Sequence, residues 1–565
     1  MNSVTALLLG LVVVFIGYRF YAGWVDRHLI KADASKSTPA RMYMDGVDFI
    51  PTSKNILFGY QFKSIAGAAP VVGAVLACQW GWLPAILWLF LGVFFIGWVH
   101  DYTSAMVSVR SDGLTFGGLS YRLISPRARL ILLSFIYFYL LLVAGAFGAT
   151  VAKVLSANVR PAPGLLLLTL AGLLAGHMIY RWKRDIVLTS VVTVVIALAG
   201  IYLGTLLPAK LEQTTVLGKL LGQLWPWAAF AFIFCYFGAT LPIWQFAQPI
   251  NYVSFYVVFL GLIGGAIGVL VGHPSFTLPA VAQISVPRIG PLWPMLFVTL
   301  ACGAISGWHS LVSSSGTARQ LESETDAKPV AAGGMFAEMM LGLLAVIAAC
   351  VAYANWEGYT TNLAAKTAAG VFAVGLSKLL GFLGVGKELG VTFGTVLIVV
   401  LAITVMQLVL RFMRIATAEL VGDRLPALRN IHLATLVACI LGMLLVLTGW
   451  WQYLWVLFGG ANQLMASLAL LLVSIWLVGQ RRSAVFTFVP MVFMFITTIA
   501  ALAYTSYNLF QQVITGKVAI GTPFGNALMG VVAIFLIVAA LILGYDGIKA
   551  FTCFRAPNPT KQDTT

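Results

Sequence analysis

The chain is poor in charge and lacks the motifs of soluble catalysis. Asp, Glu, Lys and Arg make up only 9% of 565 residues, while 60% are hydrophobic. That balance excludes an ordinary soluble domain. No GxxxxGK[ST] string occurs, so ATP hydrolysis by this chain is not expected. Cys78, Cys235, Cys302, Cys350, Cys439 and Cys553 are scattered without CxxC spacing, so neither a zinc site nor a disulfide framework is indicated. The short alternating strands of a membrane β-barrel are missing. No catalytic triad, metal cluster or dinucleotide fingerprint stands out; the expectation is a non-enzyme with no cofactor and no metal. Acidic residues number 18 against 34 basic ones, a formal net charge of +16. No basic domain lies outside the apolar runs to bind nucleic acid. Basic loops on the cytoplasmic side account for the excess.

What is present is a succession of apolar runs near membrane-spanning length, with a mean hydropathy of +0.95. The expectation is an all-α polytopic membrane protein with about fifteen transmembrane helices. The run over 5–16 lacks a basic leader and a small-residue cleavage site and is read as a retained first span. The segment 361–382, with Lys366 and Lys378, is weakly amphipathic and is expected along the membrane interface. With the loop after the first span inside, the loops at Arg122, Arg184, Arg319, Arg424 and Arg481 and the C-terminal tail all fall inside. The N-terminus is then outside and the C-terminus cytoplasmic.

Two apolar runs have the wrong composition for rigid helices. One is Ser64-Ile65-Ala66-Gly67-Ala68-Ala69-Pro70-Val71-Val72-Gly73, in the second span. The other runs from Cys302 to Gly316 in the ninth span and holds Ser306, Gly307, His309, Ser310, Ser313, Ser314 and Ser315. Interrupted hydrophobic segments in corresponding positions point to a transporter's binding site. Gly67, Ala68, Ala69, Pro70 and Gly73 fit an unwound helix, since Pro70 removes a donor and frees a carbonyl. They fit a close helix–helix contact equally well. An odd number of crossings separates the two runs, so their helices point in opposite directions. That predicts inverted five-helix repeats on the LeuT plan: repeat one over 60–207, an insertion over 225–272, repeat two over 292–478, and peripheral helices over 1–24 and 483–543. All belong to a single transmembrane domain, 1–565.

Few ionisable or amide side chains fall inside the spans. His309 is the hardest to dismiss, because an ionisable group at that depth is costly and usually faces a cavity. Its imidazole suits proton coupling. Ser306, Gly307, Ser310 and Ser313 join it as substrate-binding candidates, although Ser and Thr also bond harmlessly to their own helix. His100 and Asp101 are either a snorkelling pair or a proton site. Glu338 is either a first-turn carboxylate favoured by the helix dipole or a proton carrier. Gln407 and Arg411 stand one turn apart, with snorkelling of Arg411 as the plain alternative. Gly459, Gly460, Asn462 and Gln463 suggest a break in the thirteenth span, with packing as the alternative.

Several strings together resemble the carbon starvation protein A (CstA) family. They are Tyr18-Arg19-Phe20-Tyr21, Asp45-Gly46-Val47-Asp48-Phe49-Ile50-Pro51-Thr52, Ile65-Ala66-Gly67-Ala68-Ala69-Pro70, His100-Asp101, the run from Ala301 to Ser314, and Leu457-Phe458-Gly459 with Asn462-Gln463-Leu464. The resemblance covers most of the chain. It implies membership of the APC superfamily, a LeuT-like core and a place in the bacterial inner membrane. It further implies peptide uptake or, as the alternative, uptake of a small carboxylate such as pyruvate, coupled to protons or another ion. A channel and an intramembrane enzyme are the rival classes. Two departures stand out. Gln407 occupies a position, four before Arg411, where the family often has an aspartate; an amide cannot carry a proton. Ala69 replaces the second glycine of the family's Ala-Gly-x-Gly-Pro string.

Overall fold

A computed structural model describes residues 1–209, 215–518 and 522–555. The chain is built of helices because backbone groups in hydrocarbon must be satisfied within their own segment. Among the described residues, eleven helices are long and apolar enough to cross a membrane. Shorter apolar helices, Leu224–Thr240 and Ile431–Leu447, pack among them. The chain is a multi-pass membrane protein.

Burial sorts these helices into a core and a jacket. In Glu324–Ala352 and Leu457–Gly479, 94% of the apolar window is buried, and in Lys387–Val421 89%. The corresponding share is 28% for Ser3–Ile30 and Ile186–Thr205, and 39% for Val485–Ile514. Large apolar side chains such as Leu8, Phe15, Val191 and Ile496 on the jacket helices are exposed, as expected of side chains solvated by lipid.

The two unusual runs are broken helices. Lys54–Ile65 ends at Ala66 (ψ 82°) and Gly67 (ψ −168°), and Ala68–Ala77 then begins with no side-chain cap. Ala301–Ala304 ends at Ile305 and Ser306, both extended, before Gly307–Ser315. The broken helices lie side by side and antiparallel. A Cβ on Gly73 would collide with the Thr299 carbonyl, Gly303 lies beside Pro70, the Trp308 indole donates to the Ser64 carbonyl at 2.7 Å, and Gln61 reaches Ser313 at 3.2 Å. Ascending one helix thus means descending the other, and the two breaks stand opposite each other.

The sequence expectations need correction in two places. Trp451–Gly479 is a continuous helix, so Gly459, Gly460, Asn462 and Gln463 mark no break. The glycines serve close approach instead: a Cβ on Gly459 would stand 2.5 Å from the Val298 carbonyl oxygen. The segment 361–382 does not lie flat on the interface. It belongs to Trp356–Gly381, bent at Thr367, whose second half buries Val371, Phe372, Leu376 and Leu379 in the bundle. Lys378 donates to the Val351 carbonyl at 2.9 Å; the side chain of Lys366 lies outside those described. The last helix runs on to Arg555, and the remainder of the expected cytoplasmic tail lies outside the described residues.

Candidate functional site

Each helix break frees backbone groups that need partners. At the second break, Asn462 supplies them. Its Oδ1 accepts from Ser306 Oγ at 3.0 Å, from the Trp308 amide at 3.3 Å and from Tyr139 Oη at 2.8 Å. Its Nδ2 lies 3.0 Å from Cys302 Sγ. Gln463 donates to the Phe297 carbonyl at 2.8 Å. At the first break, the buried Lys63 amine donates to Thr404 Oγ1 at 2.5 Å and lies 3.4 Å from the Ala66 carbonyl. The Ala66 carbonyl freed at the end of the half-helix Lys54–Ile65 therefore has a donor beside it.

Between the breaks lies a pinched space of about 10 Å³, lined by Gly67, Ala69, Pro70, Ser306, Cys302 and Trp308 among others. That is room for about one water. It adjoins a cavity of about 310 Å³ through Ala69, Cys302 and Phe458. This larger cavity extends past Gly73, Gly459 and Gly460 toward Leu76, Arg288 and Gln512.

Beside the second break, ionisable side chains form a fully buried chain. His100 Nδ1 lies 2.9 Å from Asp101 Oδ1, and the other oxygen of Asp101 lies 3.1 Å from His309 Nδ1. His309 Nε2 lies 3.1 Å from Glu338 Oε2, off the line of a good hydrogen bond. Only an imidazolium can donate from both ring nitrogens, and His309 faces a carboxylate at each. The half-helix Gly307–Ser315 and the helices Trp82–Val109 and Glu324–Ala352 bring these groups together. No imidazole or carboxylate among the described residues lines the pinched space, so the ionisable groups sit behind the break and not in it.

The sequence-derived candidates divide accordingly. His309, Asp101, His100 and Glu338 converge. Gly67, Ala69, Pro70 and Ser306 line the pinched space, and Gly73 lines the larger cavity. Ala68 opens the uncapped half-helix. Gly307 lets its half-helix touch the backbone at Asn462. Ser310 bonds its own helix, to the Gly307 carbonyl at 2.7 Å, and Ser313 accepts from Gln61. Gln407 stands apart: it packs on Gly238, and both its amide atoms are buried without a hydrogen-bond partner.

Sequence reasoning missed two features. Lys63 reads as an ordinary loop charge, although its position one residue before the small-residue run is a signal. The other is an ionic clasp at the far end of the same broken helix. Asp48 binds Arg411 Nη1 at 2.5 Å and Arg414 Nη2 at 3.2 Å. Arg411 also donates to the carbonyls of Gly238 and Leu241, so it is buried and clasped and does not snorkel. Burial raises the pKa of Asp48, but the guanidiniums of Arg411, Arg414 and Arg319 outweigh it and hold the carboxyl below its ordinary value. The Asp48 loop is zipped to the segment after Ser315: the amides of Ile50 and Thr52 donate to the Arg319 and Gln320 carbonyls at 3.2 and 3.0 Å. One end of the antiparallel pair is thus closed by backbone and ion pairs, while the cavity opens toward the other.

The family described as "Carbon starvation protein CstA" matches residues 2–357 and 352–501. This chain belongs to that family. The peptide transporter CstA of Bacillus subtilis (strain 168) is 29% identical over 97% of both chains. The peptide transporter CstA of Escherichia coli (strain K12) is 26% identical over 100% of this chain and 93% of its own length. The pyruvate/proton symporter BtsT of the same strain is 31% identical over 60% of this chain and 48% of its own. These relatives are named as transporters, which agrees with a membrane protein built around facing helix breaks.

Proposed function

We propose that this chain is a secondary active transporter that imports short peptides across the bacterial inner membrane, driven by a proton gradient. The observation that carries this reading is the antiparallel pair of broken helices with facing breaks, backed by the buried chain His100–Asp101–His309–Glu338. The uncapped amides at Ala68–Ala77 suit a substrate carboxylate or carbonyl, because helix N-termini favour anions. Glu338, His309 and Asp101 are the proton carriers. Gln407 takes no part in coupling.

Counting each broken helix as one crossing, with Leu224–Thr240 and Ile431–Leu447 added to the eleven long helices and the helix Trp356–Gly381, bent at Thr367, taken to enter and leave on one side, gives fifteen spans. We assign repeat one to 60–207 and repeat two to 292–478, related by inverted topology as in LeuT-type members of the APC superfamily, with 1–24 and 483–543 peripheral. The N-terminus is outside. The antiparallel register of Gly73 with Thr299 and of Gln61 with Ser313 supports that assignment. The Asp48 clasp then closes the cytoplasmic end and the larger cavity opens outward.

A second reading is import of a small carboxylate such as pyruvate, favoured by the likeness to the pyruvate/proton symporter. The deciding experiment places purified protein in vesicles and imposes a proton gradient. Labelled peptide should accumulate and collapse with the gradient. Accumulation of neither peptide nor pyruvate overturns both readings.

A further inference from the structure

The cavity of about 310 Å³ is not accounted for by the breaks alone. Its walls are largely apolar: Val72 and Leu76 of the first broken helix, Val298 beside the second, and Leu502 and Leu509 of Val485–Ile514. Thr505, Asn508 and Gln512 add a polar stripe at helical spacing on that last helix. Arg288 is the sole charged residue among those lining it. Arg288 sits in the turn between the paired strands Ser285–Val286 and Gly290–Pro291, is exposed, and forms no hydrogen bond or ion pair among the described residues. A single unpaired guanidinium at the mouth of an apolar cleft attracts anions, and the low-dielectric walls focus its field into the cleft. A guanidinium also matches a carboxylate with two parallel donors.

We propose that this cavity is an outer binding site for a short peptide bearing an apolar side chain, with the peptide's free carboxylate held by Arg288. The proposal rests on the transporter reading and sharpens its substrate class. The volume lies at the lower end of ordinary ligand pockets. A molecule as small as pyruvate would leave most of it to water and leave Val72, Leu76 and Leu502 uncovered. A dipeptide or tripeptide covers those walls while its carboxylate reaches Arg288. The pinched space beyond Phe458 is too small for any such ligand, so this site precedes passage through the breaks.

The test uses the purified full chain and measures binding of alanyl-leucine, its C-terminal amide and pyruvate by titration calorimetry. Alanyl-leucine should bind at least about tenfold more tightly than the amide, the difference expected for one charge-assisted contact. Arg288→Gln should remove that difference by weakening the free acid alone. Arg288→Lys, which keeps the charge but not the fork, should restore part of it. Equal binding of acid and amide, an unchanged Arg288→Gln variant, pyruvate binding as tightly as the dipeptide, or no saturable dipeptide binding each overturns the proposal. If the binding pattern holds but vesicles accumulate nothing, the transport reading fails and the site stands. If vesicles accumulate peptide and Arg288→Gln is indifferent, the site fails and the reading stands.

Discussion

At the residue scale, the position with the most consequence is His309. It lies between two buried carboxylates, so removing it leaves Glu338 without an ion-pair partner among the described residues and Asp101 with His100 alone. His309→Ala should destabilise the protein by about 3–5 kcal/mol, the usual cost of stranding buried charge, read as a fall in thermal midpoint in detergent. Adding Glu338→Gln should cost much less than its own single substitution does, because contacting groups are not additive. Strictly additive losses would mean that the two groups do not interact. In vesicles, His309→Ala should retain peptide binding and lose gradient-driven uptake. Loss of both would make His309 a binding residue.

At the element scale, the breaks persist because other helices satisfy them. Asn462 is the clearest case, accepting hydrogen bonds from Ser306, Trp308 and Tyr139. Asn462→Ala should therefore cost about 1–3 kcal/mol, the penalty for leaving buried donors unmade; the check is thermal unfolding, with Gln463→Ala as the companion. A loss below that range would show that water replaces the amide. This was half legible in the sequence. The amides and glycines at 459–463 are conspicuous in an apolar run, and a break in their own helix is the natural reading. In the fold the break belongs to another helix, and these residues serve it from across the interface. Period and composition report a segment's local tolerance and carry no information about which neighbour its side chains will meet. For the same reason the burial of Lys63 is not legible locally: its hydroxyl partner Thr404 stands on Lys387–Val421, hundreds of residues away in the chain.

At the scale of the whole molecule, one end of the antiparallel pair is clasped and the other is open. Asp48→Asn removes the charge that holds Arg411 and Arg414, and should loosen the clasped end. The expected cost is about 2–4 kcal/mol, below the full range for a buried pair because 20% of the Asp48 side chain stays exposed. Labelling of a cysteine placed at Ile50 should speed up in the Asp48→Asn variant and stay slow in the parent. An unchanged rate would mean the backbone zipper alone closes this end. The pH dependence follows from the lowered pKa of Asp48. A depressed carboxyl contributes stability that is complete above its unfolded value, about pH 4, and is lost only as pH falls through the folded value. Closure of the clasped end should therefore be flat between about pH 5 and 8, and a transition in that window would assign the switch to another group.

The sequence by itself determined the material and its solvent. Apolar runs of spanning length, scarce charge and basic loops require a helical bundle in a bilayer, since no other backbone arrangement open to such runs satisfies its hydrogen bonds there. It also marked where two helices could fail, because clustered Gly, Ala, Pro and Ser remove the side-chain bulk and the donors that keep a helix straight, although the same composition fits a close helix contact and is one at 459–460. Only the tertiary structure decided what those failures face. Antiparallel packing set one break against the other, brought the neighbours His100 and Asp101 together with His309 and Glu338 from two further helices, drew Lys63 inward, and left Gln407 apart. The reason is physical: the energy of a buried charge depends on the atoms around it, and those atoms come from distant parts of the chain that meet only when the bundle closes.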